Sequence, residues 1–166
     1  METLQFFYDY ECPHCKAGYE NIMKQIGNHP NIKIEWRPIE LNPSSGKVSP
    51  GINPAGQSYY IAEELGAEIS AFHTAMYRAI AVERKNAGKP EVLCNVLKGI
   101  VDTGKFRAIL DSGKYANQAA ENNKLAYDKN DVWYLPALRA KGKRLDAKPG
   151  AGISPRELES FLSSLA

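Results

Sequence analysis

Apolar and polar residues change their spacing along the chain, and these changes predict where strands and helices lie. The aromatic run at residues 5–10 is short and bounded by a turn, which is typical of a buried central strand. Apolar residues then follow helical spacing, at Tyr19, Ile22, Met23 and Ile26. Alternation over residues 32–37 indicates a second strand that ends at Pro38. The first forty residues are therefore predicted to be β-α-β.

Proline and glycine divide the rest of the chain. Residues 42–57 are rich in both and polar, so we expect a loop and a subdomain boundary there. Helical periodicity continues from residue 58 to 128, in predicted helices over 58–65, 69–86, 90–102, 105–112 and 115–128. Strand character returns at Trp133, and a last helix is predicted from Ser154 to Leu165. The pattern predicts an α/β chain in which residues 1–42 and 131–166 enclose a helical domain over 43–130.

Composition and charge exclude several classes of partner. The 166 residues carry a net charge of +2, so no field of one sign would attract nucleic acid or anionic lipid. No apolar run approaches the roughly 20 residues that span a bilayer, which predicts no membrane segment. A basic group, expected on an exposed hairpin edge, consists of Arg139, Lys141, Lys143 and Arg144. The N-terminus opens almost directly into a strand without a leader pattern, so we expect a cytoplasmic protein.

Two of the three cysteines form a CxxC motif at the predicted junction of a strand and a helix. Cys12 and Cys15 enclose Pro13 and His14, a spacing that closes into a reversible disulfide. Half of a zinc site is the alternative, but zinc needs four ligands and the chain has no second CxxC or spaced histidine pair. The motif favours redox chemistry and no metal, while Cys94 is interpreted as a packing residue.

Position within the motif assigns different roles to its residues. Cys12 would sit at a helix N-terminus, where backbone N–H groups and the helix dipole favour a thiolate, so it is the predicted nucleophile. Cys15 lies deeper in the helix and would resolve the mixed disulfide. Pro13 suits the first turn, and His14 adds positive charge or a hydrogen bond, which favours an oxidising pair. The strand before the motif offers no buried acid, which leaves water, His14 or another acid to move protons.

The CPHC tetrapeptide and the helical block together resemble the DsbA-like thiol oxidoreductases of the thioredoxin-fold superfamily, over the whole chain. This resemblance implies a thioredoxin fold with a helical domain inserted between its second and third strands. It also implies a cis peptide bond at Pro136, facing the dithiol, and a Leu135 backbone that pairs with an extended substrate. Tyr134 is a further candidate for peptide contact.

The segment that precedes the motif, Tyr8-Asp9-Tyr10-Glu11, is similar to the cytoplasmic FrnE-type branch of that family. More distant relatives are kappa glutathione transferases and hydroxychromene-carboxylate isomerases, which usually lack the paired cysteines. The resemblance implies a protein dithiol–disulfide oxidoreductase that acts on thiol- or disulfide-containing proteins without an organic cofactor. The alternatives are a glutathione-dependent transferase or isomerase, with glutathione as co-substrate, and a redox-inert peptide- or metal-binding module.

Overall fold

Two parallel strands joined by a helix form the N-terminal part of the fold. The computed structural model describes residues 1–40 and 53–166. Strand β1 (Glu2–Tyr8) is followed by α1 (Pro13–Gln25), a 3₁₀ turn (Ile26–Asn28) and β2 (Ile32–Pro38). The β-α-β prediction is confirmed, and Phe6 of β1 pairs with Trp36 of β2. Because β1 is covered on both faces, its aromatic residues are buried at consecutive positions.

Two antiparallel strands complete the sheet. Strand β3 (Ala137–Ala140) pairs with β1, and β4 (Lys143–Asp146) pairs with β3, so the order is β2-β1-β3-β4. Helix α7 (Pro155–Ser163) follows. It begins with the predicted capping box, in which Ser154 Oγ accepts the Glu157 N–H at 3.1 Å and the Glu157 carboxylate accepts the Ser154 N–H at 3.2 Å.

Between β2 and β3, the described residues 53–129 are mainly helical, so the predicted insertion after the second strand is confirmed. The helices are α2 (Pro54–Glu64), α3 (Ile69–Tyr77), α4 (Pro90–Val96), α5 (Thr103–Ser112) and α6 (Ala116–Lys124), with π-helical turns at Arg78–Val82 and Leu125–Lys129. The predicted domain boundary at residues 42 and 43 lies outside the described residues. Within those residues, no helix is long and apolar enough to cross a membrane.

Several element boundaries differ from the prediction, including that of the helix expected over 90–102, which ends at Val96. Helix α2 begins at Pro54, inside the expected loop, because the Asn53 side chain caps the Gly56 N–H at 3.0 Å and proline suits the first position. The expected helix over 69–86 changes at Tyr77 into a π turn. The strand expected from Trp133 begins only at Ala137, where pairing with β1 starts.

Two side chains are also placed differently from the prediction. Arg139 is only 8% exposed, because β3 lies inside the sheet and not at its edge. Its guanidinium donates to Asp146 at 2.6 Å and to the Asn130 carbonyl at 2.9 Å, so its charge is paired and its N–H groups are engaged. Met23, expected on the buried face of α1, is exposed.

Candidate active site

The two thiols of the motif lie at the start of α1 with very different exposure. Cys12 is the N-cap residue, and its Sγ accepts the Cys15 backbone N–H at 3.3 Å. Its own N–H donates to the Asp9 carbonyl at 3.0 Å, which anchors the turn between β1 and α1. Cys12 keeps 8% of its surface exposed, whereas Cys15 has none. Both are free thiols, and only Cys12 reaches the surface.

Hydrogen bonds lower the pKa of Cys12 to about 7, from an ordinary value of 9.0. The largest contribution is the Cys15 S–H, which donates to the Cys12 sulfur, and the backbone N–H groups of Cys15 and His14 add to it. Burial and the Asp9 carboxylate act in the opposite direction. The thiolate of Cys12 is therefore more accessible at neutral pH than that of an ordinary cysteine.

The pKa of Cys15 moves in the opposite direction and lies well above its ordinary value. Burial is the largest cause, followed by the hydrogen bond that Cys15 donates to Cys12 and the negative charge of Cys12. The Asp9 backbone supplies a hydrogen bond that partly opposes this shift. Cys15 is thus held as a thiol while Cys12 ionises, which matches the roles of nucleophile and resolving cysteine expected from the sequence.

Pro13 and His14 form the first turn of α1. Pro13 occupies the first helical position, where a missing N–H leaves nothing unpaired. The imidazole of His14 packs against Gly152, since a Cβ added to that glycine would lie 3.0 Å from His14 Nδ1. Gly152 has φ of +73° and closes the turn that faces the motif. His14 thus acts on Cys12 through its backbone N–H, while its ring is in contact with this turn.

The loop before β3 faces the dithiol. The Leu135–Pro136 peptide bond is cis, as the resemblance implied, and the Leu135 carbonyl lies 3.8 Å from Cys12 Sγ. The Pro136 carbonyl accepts the Ala147 N–H at 3.0 Å, which fixes the loop to the chain beyond β4. Pro136 also packs against Gly18 of α1, where an added Cβ would lie only 2.8 Å from Pro136 Cγ. Sequence-distant segments thus meet at Cys12.

Two aromatic residues next to this loop are exposed. Trp133 is 74% exposed and Tyr134 is 50% exposed, although both are large apolar side chains. The Trp133 indole donates to Asp131 Oδ1 at 2.7 Å, so its ring is oriented at the surface. Exposed aromatic residues beside a reactive cysteine are suited to contact a peptide, which is the role expected for Tyr134.

A buried cluster of tyrosine and histidine side chains lies behind the motif and was not anticipated from the sequence. Tyr8 and Tyr10 are joined through their hydroxyls at 2.9 Å, and Tyr10 is hydrogen-bonded to His73 Nδ1 at 3.0 Å. His73 is fully buried and lies 4.5 Å from Trp36, between ring centroids. Burial lowers the pKa of His73 to about 3, so the imidazole is neutral. The cluster joins β1 to helix α3.

A buried carboxylate follows β2 and was also missed. Glu40 is largely buried, and its pKa is raised to about 7 by burial and by the charges of Asp9 and Glu11. Its backbone N–H donates to Asn123 Oδ1 at 2.9 Å, and its carbonyl accepts the Tyr127 hydroxyl. Neither Glu40 nor His73 has a local sequence pattern that reveals burial, because their neighbours come from distant parts of the chain.

Across residues 1–40 and 53–166, no three or more His, Cys, Asp or Glu side chains are grouped as metal ligands. The hydrogen bonds that set the state of Cys12 come from the chain itself.

Comparison with known proteins agrees with the fold. Residues 3–67 match the family model of the DSBA-like thioredoxin domain. Pseudomonas aeruginosa DsbA is 26% identical, with a TM-score of 0.73 over 98% of this chain and 80% of that one. A probable DsbA oxidoreductase from Streptomyces coelicolor shares the fold, at 16% identity and a TM-score of 0.80, covering 99% of this chain and 90% of that one. The uncharacterised protein YwbO of Bacillus subtilis is 25% identical over 81% of this chain and 84% of its own.

The fold and the buried dithiol define a thioredoxin-fold oxidoreductase. More particularly, residues 3–67 resemble the DSBA-like thioredoxin domain, and the resemblance stated from the motif is confirmed. The thioredoxin fold with a helical insertion is likewise confirmed, as is the enzyme class of thiol:disulfide oxidoreductases.

Proposed function

We propose that this protein exchanges disulfides with protein substrates through Cys12 and Cys15. The observation that carries the proposal is the opposite state of the two thiols. Cys12 keeps 8% of its surface exposed and has a pKa lowered to about 7, and Cys15 is fully buried with a raised pKa. Only a thiolate attacks a disulfide, so Cys12 can react first while Cys15 remains protonated.

The exchange proceeds in two displacements. When the pair is reduced, the Cys12 thiolate attacks a substrate disulfide, forms a mixed disulfide and releases one substrate thiolate. Cys15 then loses its proton and attacks Cys12 Sγ, which closes the Cys12–Cys15 bond and releases the second substrate thiolate. The two released thiolates take up protons, so the substrate gains two electrons that the dithiol loses. The reverse sequence oxidises a substrate dithiol.

The loop around Pro136 supports a polypeptide as the substrate. The Leu135 carbonyl already faces Cys12 Sγ at 3.8 Å, so an extended chain bonded to Cys12 would run along this loop. Exposed Tyr134 lies next to it and would contact side chains near the substrate cysteine. We therefore assign peptide binding to Pro136, the Leu135 backbone and Tyr134.

Equilibration in glutathione buffers tests the proposal. The purified protein would be brought to equilibrium over a range of reduced-to-oxidised glutathione ratios, quenched with acid, and its thiols counted after unfolding. The expected result is reversible loss of two of the three thiols in the wild type and of none in Cys12→Ser. Cys94→Ser is the matched control and should keep the midpoint of the wild type. A wild type that shows no reversible Cys12–Cys15 pair would overturn the proposed function.

A further inference from the structure

Tyr77, the last residue of α3, carries a buried hydroxyl that the fold does not use. Its side chain is 1% exposed. Within the described residues, its hydroxyl has no hydrogen-bond partner. An unpaired buried hydroxyl is unfavourable, because the group loses its bonds to water without replacement. The unpaired hydroxyl of Tyr77 is therefore available to a partner that arises at another stage of the protein's cycle.

Ring packing places Tyr77 against aromatic residues that flank the two cysteines in the sequence. Its ring centroid lies 5.0 Å from that of Tyr10 and 5.4 Å from that of Tyr19. Tyr10 is two residues before Cys12, and Tyr19 is one helical turn after Cys15 on the same buried face of α1. Burial is the largest cause of the raised pKa of Tyr77, and the charges of Cys15 and Cys12 add to it, so the phenol is within electrostatic range of both thiols.

The exchange reaction produces a negative charge where the structure offers little solvent. Cys15 is fully buried, yet its sulfur must be a thiolate when it attacks Cys12 or when it leaves Cys12. Burying a charge is costly unless hydrogen bonds stabilise it. The Asp9 backbone provides one bond to this sulfur, while the Asp9 carboxylate opposes ionisation.

The other phenols near this sulfur are already engaged. Tyr127 is within electrostatic range of Cys15, but its hydroxyl donates to the carbonyl of Glu40. The hydroxyls of Tyr8 and Tyr10 bond to each other and to His73. Tyr77 is therefore the phenol that the described residues leave able to donate.

We propose that Tyr77 is a catalytic hydrogen-bond donor to Sγ of Cys15 in its thiolate form. The proposal rests on the disulfide exchange described above and adds a residue of the helical domain to that site. In the closing step, the Cys15 thiolate attacks Cys12 Sγ, the Cys12–Cys15 bond forms and the bond from Cys12 to the substrate breaks. The proton of Cys15 passes through water to the released substrate thiolate. Tyr77 keeps its own proton throughout.

A chromogenic aromatic disulfide, dithiobis(nitrobenzoate), separates the two steps in a Cys94→Ser background. Attack by Cys12 releases the first nitrothiobenzoate, and closure by Cys15 releases the second, so stopped-flow absorbance gives both rates. Tyr77→Phe should leave the first rate unchanged and slow the second about tenfold, the factor expected for losing one hydrogen bond to a charged group. The pH profile of the second phase should move upward by about one pH unit.

Tyr19→Phe is the matched control, because it removes a hydroxyl from the same interface of α1 and α3. That hydroxyl donates to the Ser70 carbonyl at 3.0 Å and lies 3.3 Å from Thr74 Oγ1, so it already has partners on α3. The second phase of the Tyr19→Phe variant should have the same rate as that of the parent protein. A ring-fluorinated tyrosine at position 77, a stronger donor than tyrosine, should retain or increase the second rate.

The possible results separate this proposal from the proposed function. An unchanged second phase in Tyr77→Phe, or an equal slowing in Tyr19→Phe, overturns the role of Tyr77 and leaves disulfide exchange intact. Slowing of both phases alike also overturns it, because a general structural effect would do that. Failure of the Cys94→Ser parent to release a second nitrothiobenzoate would instead contradict the exchange function. Should Tyr77→Phe not fold, the fluorinated protein decides, and a slower second phase in it overturns the proposal.

Discussion

Cys12 and Cys15 are three positions apart in the sequence, yet their surroundings give them opposite chemistry. The Cys15 S–H donates a hydrogen bond to the Cys12 thiolate, which lowers the pKa of Cys12. The same bond raises the pKa of Cys15, because Cys15 must give up the donated proton to ionise. The two pKa shifts are therefore linked, and each macroscopic titration belongs to the pair. Changing one sulfur is expected to alter the ionisation of the other.

Cys15→Ala should raise the pKa of Cys12 from about 7 toward its ordinary value of 9.0, because it removes the largest stabilising donor. Cys15→Ser retains an O–H donor at the same place and should show a smaller rise. Ultraviolet absorbance of the thiolate as a function of pH measures both, with Cys94→Ser in all samples. Equal pKa values in the alanine and serine variants would contradict the assigned role of the Cys15 S–H.

His14→Pro should raise the pKa of Cys12 and lower the reduction potential of the pair. Proline removes both the imidazole and the backbone N–H that donates toward Cys12. His14→Ala keeps that N–H and should shift the pKa less. Glutathione equilibration and thiolate absorbance give the two quantities. A larger shift in the alanine variant than in the proline variant would show that the imidazole, and not the backbone, controls the thiolate.

The residues of the motif could be identified from the sequence, whereas their buried neighbours could not. The spacing of Cys12 and Cys15 and their place at a helix start define the nucleophile locally. His73, Tyr77 and Glu40 lie far along the chain, and no periodicity indicates that they meet the motif. Their contacts depend on how α3 and the end of β2 pack against the β1–α1 turn.

At the level of elements, helix α1 and the loop before β3 can approach closely because residue 18 is a glycine. Gly18 is in the middle of α1, where glycine lowers helix stability relative to alanine. An added Cβ would lie 2.8 Å from Pro136 Cγ and 3.6 Å from Phe6 Cζ. The glycine therefore lets the helix that carries the cysteines approach the loop that faces them.

Gly18→Ala should destabilise the protein by about 1–3 kcal/mol, the usual cost of overpacking, despite the higher helix propensity of alanine. It should also weaken peptide binding by displacing Pro136. Urea unfolding of the reduced protein measures the first effect. Gly27→Ala is the matched control, since no atom lies within 4 Å of its added Cβ and its stability should stay within about 1 kcal/mol of the wild type. If Gly18→Ala and Gly27→Ala were equally stable, Pro136 would be shown to move aside at little cost in free energy.

Most elements were predictable because their ends carry local signals, such as Pro13 for α1 and the Ser154 capping box for α7. The start of α2 was missed because Pro54 and Gly56 resemble loop residues when read without the Asn53 cap. The late start of β3 depends on where β1 ends, which is a property of the sheet and not of the segment itself. Local sequence patterns predicted the ends of an element correctly only where contacts with other elements did not determine those ends.

At the scale of the whole molecule, His73 connects the helical insertion to the sheet. It lies on α3, is hydrogen-bonded to Tyr10 beyond β1, and contacts Trp36 of β2 at 4.5 Å between ring centroids. A charged imidazole would disrupt this contact, because the surrounding rings cannot solvate it. We therefore expect the contact between helix α3 and the sheet to weaken in acid.

Acidification below pH 6.5 should destabilise the reduced protein through His73. The ordinary pKa of this imidazole is 6.5 and its folded pKa is about 3, so between these values the unfolded chain binds a proton that the folded chain does not. Stability then falls with decreasing pH, by up to about 1.4 kcal/mol per pH unit for one proton. Urea unfolding at several pH values should show this slope in the wild type and a flatter one in His73→Phe.

Glu40 should act with the opposite sign and provides the control for this slope. Its folded pKa is about 7 against an ordinary 4.5, so between these values the folded chain binds the additional proton and gains stability as pH falls. Glu40→Gln removes this gain, and its stability should therefore decline more steeply than the wild type from pH 6.5 to 4.5. Identical slopes in the wild type and His73→Phe would show that His73 is not the group that weakens the fold in acid, whatever Glu40→Gln does.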